Sequence, residues 1–144
     1  MVIPSGPLGA IAFVRGEGKL QGTVKFYPVP CGALIVAEVE GLPKNDSGFF
    51  ALHIHEGGSC AGEGFAKTGG HYNPNGEPHP LHAGDLPPLL SQNGRAFLAV
   101  ETNRFDIREV MGRTVVIHGS ADDFRTQPAG NAGQKIGCGR ICSP

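Results

Sequence analysis

Glycine and proline interrupt this chain so often that no long helix fits between them. The sequence has 23 glycines and 12 prolines among 144 residues, and these two residue types are the least tolerated in helix interiors. A helical bundle and a coiled coil are therefore excluded as architectures. Disorder is disfavoured as well, because 40% of the residues are apolar and they fall in short patterned runs.

The patterned runs are typical of short β-strands. In residues 20–27, for example, apolar and polar side chains alternate as they do in a half-buried strand. Residues 105–111 fit a helical turn and a weak strand equally well. Strands at this spacing predict an antiparallel sandwich or barrel in a single domain over residues 1–144. The predicted strands are 8–16, 20–27, 33–40, 49–56, 95–101, 113–118 and 135–141.

Charge and hydropathy argue against several classes of partner and bear on the cellular compartment. Twelve basic and thirteen acidic residues give a formal charge of -1, so the basic patch of a nucleic-acid binder is missing. The apolar runs are too short to span a membrane. Residues 1–7 lack the basic and apolar regions of a signal peptide. We therefore expect no nucleic-acid or membrane partner and a cytoplasmic protein, or an extracytoplasmic one if a leader has been removed.

All six histidines lie in or beside the strand ends and the long loop 57–92. His53 and His55 are two residues apart on a predicted strand, so both side chains leave the same face. His118 ends another strand, and the remaining histidines share the loop with Asp85. Imidazoles with one carboxylate suit zinc or copper better than calcium or magnesium. A long loop in a compact domain is usually functional or held by a ligand.

Five motifs, taken together and in order, resemble the copper/zinc superoxide dismutase family, in its bacterial rather than its animal branch. The resemblance covers residues 8 to 142 and implies an eight-stranded Greek-key β-sandwich or flattened barrel with immunoglobulin-like architecture. The implied activity is the disproportionation of superoxide to dioxygen and hydrogen peroxide. The motifs are H-I-H-E (53–56), G-G-H-Y-N-P (69–74), H-x-G-D-L-P (82–87), V-V-I-H-G-S-A-D-D (115–123) and G-N-A-G…C-G (130–139).

The resemblance also implies a role for each motif residue, with one copper and one zinc per subunit. His71 would bridge the two metals, and Asp122 matches the carboxylate that holds one ligand of each metal. The implied copper ligands are His53, His55, His71 and His118, and the implied zinc ligands are His71, His79, His82 and Asp85.

The chain departs from the family pattern at Lys135 and in its two functional loops, since the stretch from His118 to Asn131 is also shorter than usual. Lys135 stands where the family usually has an arginine that guides the anionic substrate, and Arg125 is a second candidate cation. Only two residues separate His79 from His82, which is fewer than the family usually has. Two arrangements therefore remain open: a complete zinc site, or a weak site with His79 turned outward.

The cysteines divide into two pairs. Cys60 and Cys138 match the family's intrasubunit disulfide. Cys31 and Cys142 have no counterpart in the pattern and form either a second bridge or two free thiols.

Two rival functions stay open beside the dismutase. One is a copper chaperone-like relative on the same fold, and the other is a structural protein whose loop is held by zinc. A homodimer is one of the assemblies that the resemblance allows, with 49–50 and 57–58 as candidate contacts or as parts of the core.

Overall fold

The computed structural model describes residues 4–144 as an all-β structure with one short helix, α1 (Ile107–Val110), and one 3₁₀ segment (Glu63–Thr68). The strands are β1 (Ala10–Gly16), β2 (Gln21–Val29), β3 (Gly32–Glu40), β4 (Phe49–Phe50), β5 (Leu52–His55), β6 (Leu89–Leu90), β7 (Ala96–Thr102), β8 (Thr114–His118) and β9 (Lys135–Cys142).

Seven of these strands form one curled antiparallel sheet. Its order is β5-β8-β9-β1-β2-β3-β7, and β4 pairs with β6 in a second, two-stranded sheet. Strands far apart in sequence are neighbours, as β5 and β8 show. The predicted all-β antiparallel fold is confirmed, and β5 is left as an edge strand of the larger sheet.

The strand count differs from the prediction because segment 49–56 is divided. At Ala51 the chain leaves the β4 pairing: the Ala51 N–H donates to Ser120 O and its carbonyl accepts from His118 N–H, both at 2.9 Å. In addition, β6 lies inside the predicted loop 57–92, where Leu90 pairs with Phe49. The undecided segment 105–111 contains α1, whose start is capped by Asp106 and Glu109.

Strand alternation gives the sheet its apolar inner face. Val24 and Phe26 of β2 and Ile35 of β3 are fully buried, and the ring of Phe105 packs edge-on against Phe26 with centroids 6.4 Å apart. β5, like β8, departs from this alternation, because all of its side chains are buried. Leu52 and Ile54 of β5 face the core. Its two histidines therefore face the opposite side, which the long loop covers.

One hydrophobic core draws on strands from both ends of the described chain. The single domain over residues 1–144 stays a prediction. Residues 1–3 belong to the segment 1–7 that was compared with a signal peptide, and they lie outside the described residues. None of the described helices has the length and apolar character needed to cross a membrane.

Candidate metal centre

The long loop packs along the edge of β5 that no other strand covers, and this brings its histidines next to those of β5. Backbone bridges join His55 to His71 and His53 to Asp85 in antiparallel fashion. Tyr72 N–H donates to Ile54 O, and Ile54 N–H donates to a loop carbonyl in turn, both at 2.8 Å. The loop therefore acts as an added strand that satisfies the edge of the sheet, and its side chains meet those of β5.

Four buried histidines, His53, His55, His71 and His118, bring one ring nitrogen each to a common point, with all four nitrogens within 4.8 Å of one another. Three of them have their second ring nitrogen facing an oxygen: His53 Nε2 faces Asp122 at 2.8 Å, His55 Nδ1 faces Gly69 O at 2.8 Å and His118 Nδ1 faces Gly133 O at 3.3 Å. Such bonds fix the ring tautomer, so these rings offer His53 Nδ1, His55 Nε2 and His118 Nε2.

The fourth nitrogen of this set is His71 Nε2. Among the described residues it is buried without a hydrogen-bond partner, and so is His53 Nδ1. His55 Nε2 and His118 Nε2 lie 3.3 Å apart. Buried polar nitrogens without partners are costly, and a metal ion that accepts all four lone pairs removes this cost. The residues of this set therefore fit a copper ion.

A second donor set lies on the other side of His71. His71 Nδ1 is 2.8 Å from Asp85 Oδ1 and 3.1 Å from His82 Nδ1, while His79 Nδ1 is 3.0 Å from Asp85 Oδ2. Four ligands around a tetrahedral zinc at its usual bond lengths are about 3.3 Å apart, close to these separations. Three nitrogens and a carboxylate at this spacing fit zinc.

His53 also lies within donor distance of His71, His79 and Asp85. It does not belong to the second set, because its Nε2 is held by Asp122 and its Nδ1 faces the first set. His82 belongs there instead, since its Nδ1 is 3.2 Å from Asp85 Oδ2.

The structure turns His79 inward despite its short spacing to His82. Its ring is buried, and Nε2 lies 2.7 Å from Asp122 Oδ1. The side-chain amide of Gln127 also binds the His79 backbone twice, accepting from its N–H at 2.8 Å and donating to its carbonyl at 2.7 Å. The outward arrangement of His79 is thus not the one found.

Asp122 links the two donor sets, because its oxygens face His53 Nε2 and His79 Nε2. Burial alone would raise the pKa of Asp122, but hydrogen bonds from His53, His79 and the Phe124 N–H outweigh burial and hold the pKa well below its usual value. Gly130 packs directly against the hydrogen bond between Asp122 and His79, with φ at +73°. A Cβ at this position would collide with Asp122 Oδ1 and His79 Nε2.

Burial keeps His53, His55, His82 and His118 neutral near pH 7. Burial lowers the pKa of His55 to about 2 and that of His118 to about 3, and it also lowers the pKa of His53 and of His82. The contact of His53 with Asp122 is therefore a hydrogen bond to a carboxylate rather than an ion pair. Neutral imidazole is the form that binds metals.

The cations and cysteines occupy distinct places around the site. Lys135 Nζ donates to Thr68 Oγ1 at 2.7 Å and to Gly69 O at 3.1 Å. Arg125 is exposed, and within residues 4–144 its guanidinium makes no hydrogen bond. Cys60 and Cys138 form a disulfide across 78 residues, which ties the loop to β9.

Cys31 and Cys142 are free thiols, so of the two open alternatives the second bridge is not the one found. Cys31 lies in the turn between β2 and β3, whereas Cys142 pairs with Ile11 in β1. Strand β1 therefore stands between the elements that carry the two thiols.

Several contacts of the site have no sequence signal. The carbonyls of Gly69 and Gly133 orient ligand rings, and a backbone oxygen is carried by every residue type. Arg104 donates to the carbonyls of Pro80 and His82 at 2.7 and 3.2 Å, as Gln127 does to His79. A charged or amide residue in a loop is usually solvated, so the sequence alone does not single these two out.

Comparisons with known proteins agree with this geometry. The family profile of copper/zinc superoxide dismutase (SODC) matches residues 20–141. "Superoxide dismutase [Cu-Zn]" of Deinococcus radiodurans is 38% identical over 143 residues, covering 85% of this chain and 77% of the relative. "Superoxide dismutase [Cu-Zn] 2" of Aquifex aeolicus is 34% identical, covering 89% and 82%.

A relative with a different printed name also matches. "Copper chaperone for superoxide dismutase" of Rattus norvegicus is 30% identical over 92% of this chain, but the chain covers only 52% of that relative. The matched region contains every residue of both donor sets. This protein is accordingly a member of the copper/zinc superoxide dismutase family.

Proposed function

We propose that this protein disproportionates superoxide at a copper/zinc site bridged by His71. The observation that carries the proposal is that the two ring nitrogens of His71 face two different donor sets. In this assignment each chain holds one copper and one zinc. The copper ligands are His53, His55, His71 and His118, and the zinc ligands are His71, His79, His82 and Asp85.

Copper, when bound, supplies one-electron chemistry, and zinc supplies charge without redox change. The side chains do the rest. Two superoxide anions and two protons give one dioxygen and one hydrogen peroxide, so a proton has to be held near the reacting oxygen. His71 Nε2 is the nitrogen that can hold it whenever its lone pair is not given to a metal, since His71 Nδ1 faces Asp85 and His82. Asp122 keeps the rings of His53 and His79 in place.

The proposal is tested by superoxide consumption. We expect protein loaded with copper and zinc to consume superoxide in proportion to its bound copper, and protein loaded with zinc alone to be inactive. A chelator that removes loosely held copper is present in both samples, because free copper ions also react with superoxide. Protein that retains one copper and one zinc per chain and yet consumes no superoxide contradicts the proposal.

A chaperone-like function is the second candidate, and the chaperone relative is the observation that favours it. A chaperone gives up its copper to an acceptor, whereas an enzyme keeps it through many turnovers. The complete four-nitrogen set, buried and fixed by Asp122, Gly69 and Gly133, suits retention. Transfer of copper to a metal-free acceptor dismutase, without superoxide consumption, would favour the chaperone.

Replacing Asp122 by asparagine should weaken zinc binding about 10- to 100-fold, as expected when an outer partner of a metal ligand is lost. The amide offers one acceptor oxygen instead of two, so it can bind His53 or His79 but not both. Zinc dissociation constants from a chromophoric chelator competition provide the measurement. Asp123→Asn is the matched control, since Asp123 is exposed and, among the described residues, its carboxylate bonds only to Arg125 and Thr126. Equal zinc affinity in the two variants would exclude this role of Asp122.

Lys135 is proposed as the cation that guides superoxide, and Arg125 is the weaker candidate because its side chain is exposed and unattached. Lys135→Arg should raise kcat/KM about threefold at low salt, since a planar guanidinium binds carbonyls and an anion together. The gain should shrink as ionic strength rises. The measurement is the rate against salt concentration, with Arg125→Lys as control; an unchanged rate removes Lys135 from the mechanism.

Assembly and compartment are further proposals. For a homodimer, Phe49 remains a candidate contact because it is 39% exposed, whereas Phe50 is fully buried and belongs to the core. Sedimentation of the purified protein tests this. The compartment is proposed to be either the cytoplasm or an extracytoplasmic space. The disulfide favours the extracytoplasmic alternative, and cell fractionation decides between them.

A further inference from the structure

The hydroxyl of Thr68 is a buried side-chain group beside the histidine sets whose role is not yet explained. Thr68 has 0% of its surface exposed. Its Oγ1 donates its only hydrogen to Phe65 O at 2.8 Å, so toward Lys135 it can act only as an acceptor. The Lys135 ammonium donates to it at 2.7 Å.

Lysine needs such an acceptor more than arginine does. Its ammonium sits on a flexible four-carbon stem, whereas a guanidinium is a rigid fork. The bonds from Lys135 Nζ to Thr68 Oγ1 and Gly69 O use two of its three hydrogens. The third remains for an anion, at a position that the two acceptors define.

The Gly69 carbonyl couples this position to the histidines. It accepts from Lys135 Nζ at 3.1 Å and from His55 Nδ1 at 2.8 Å. Lys135 also lies opposite His118 in the pairing of β9 with β8. The ammonium is therefore tied to the His55 ring through one carbonyl, and the Lys135 backbone is tied to that of His118.

The backbone around Thr68 is itself held firmly. Its carbonyl accepts from Gly57 N–H at 2.8 Å, and the disulfide from Cys60 to Cys138 ties both ends of the contact together, because Cys138 follows Lys135 by three residues in β9. Thr68 and Lys135 are thus both carried by segments whose positions are fixed by the disulfide and by backbone hydrogen bonds.

We propose that Thr68 is a positioning residue, which fixes the Lys135 ammonium on the Gly69 carbonyl so that its third N–H meets a small anion bound beside the first donor set. The inference rests on the proposed function, because the anion in turnover would be superoxide. Thr68 acts only through Lys135 and touches no reacting atom.

Azide, a small anion, is the probe for copper- and zinc-loaded protein, with binding followed by the visible absorption of copper. Thr68→Val keeps the shape and removes the hydroxyl, and we expect its azide dissociation constant to rise about three- to tenfold, the usual effect of one hydrogen bond. Thr68→Ser should stay within about twofold of the parent. Thr23→Val, on the outer face of β2, is the matched control and should match the parent.

A double-mutant cycle separates positioning from general structure. Lys135→Met should weaken azide binding at least as much as Thr68→Val does. The double variant should bind azide no more weakly than Lys135→Met alone. Additive losses overturn the proposal, and so does a Thr68→Val protein with the parent's azide affinity. If Thr68→Val does not fold, Thr68→Ala removes the same hydroxyl without adding volume and is judged by the same criteria.

Metal-free protein gives an independent measurement. Hydrogen bonds slow the exchange of a lysine ammonium with water, so ¹⁵N–¹H NMR should show the Lys135 ammonium in the parent and in Thr68→Ser but not in Thr68→Val. A signal that survives in Thr68→Val overturns the proposal. Failure of superoxide consumption with both positioning results intact would contradict the proposed function alone.

Discussion

His118→Ala should abolish superoxide consumption and release copper while zinc stays bound. His118 Nε2 belongs to the first donor set, where it lies 3.3 Å from His55 Nε2, and it has no contact with the carboxylate of the second. Losing an outer partner of a ligand already costs about 10- to 100-fold in affinity or activity, so losing the ligand should cost more than about a hundredfold. Metal analysis after dialysis, together with the superoxide assay, provides the measurement.

His82→Ala is the matched control for this experiment, because its ring belongs to the second set alone. It should lose zinc and keep copper. The opposite pattern in the two variants would reverse the assignment of the metals. Loss of both metals in both variants would show that the sets do not bind independently. Circular dichroism of each variant checks that the sheet is intact, since both side chains are buried.

Much of the fold and the residue types of the site could be predicted from sequence, and the reasons are local. The alternation in 20–27 and 33–40 reports directly which side chains face the core, and β2 and β3 follow it. An H-x-H pair on a strand places both rings on one face, as His53 and His55 show. The pairing of Cys60 with Cys138, by contrast, came from the family resemblance and not from any local rule.

The remaining features depend on contacts between distant segments. β6 contains only two residues, and it is a strand because Phe49 and Phe50 lie opposite it. His79 is turned inward by Gln127, 48 residues later. The same holds for Cys31 and Cys142, since an even cysteine count says nothing about the strand that lies between them.

Removing the Cys60–Cys138 disulfide should lower the free energy of unfolding of the metal-free protein by about 4 kcal/mol, because the closed loop spans 78 residues and restrains the unfolded chain. Small domains have a total stability of only about 5–15 kcal/mol. The reduced, metal-free chain is therefore expected to be close to unfolding at 37 °C. Urea unfolding of the Cys60→Ser, Cys138→Ser double variant against the oxidised parent provides the measurement.

The free cysteines supply the control for this effect. A Cys31→Ser, Cys142→Ser variant keeps the disulfide and should unfold within about 0.5 kcal/mol of the parent, since Cys31 is exposed and Cys142 is only partly buried. The disulfide also fixes the segment that carries Thr68 and Gly69 relative to Lys135. Its loss should therefore weaken azide binding in the loaded protein as well as stability. A double variant as stable as the parent would show that the noncovalent contacts of the loop, such as those with the edge of β5 and with Lys135, hold it without the disulfide.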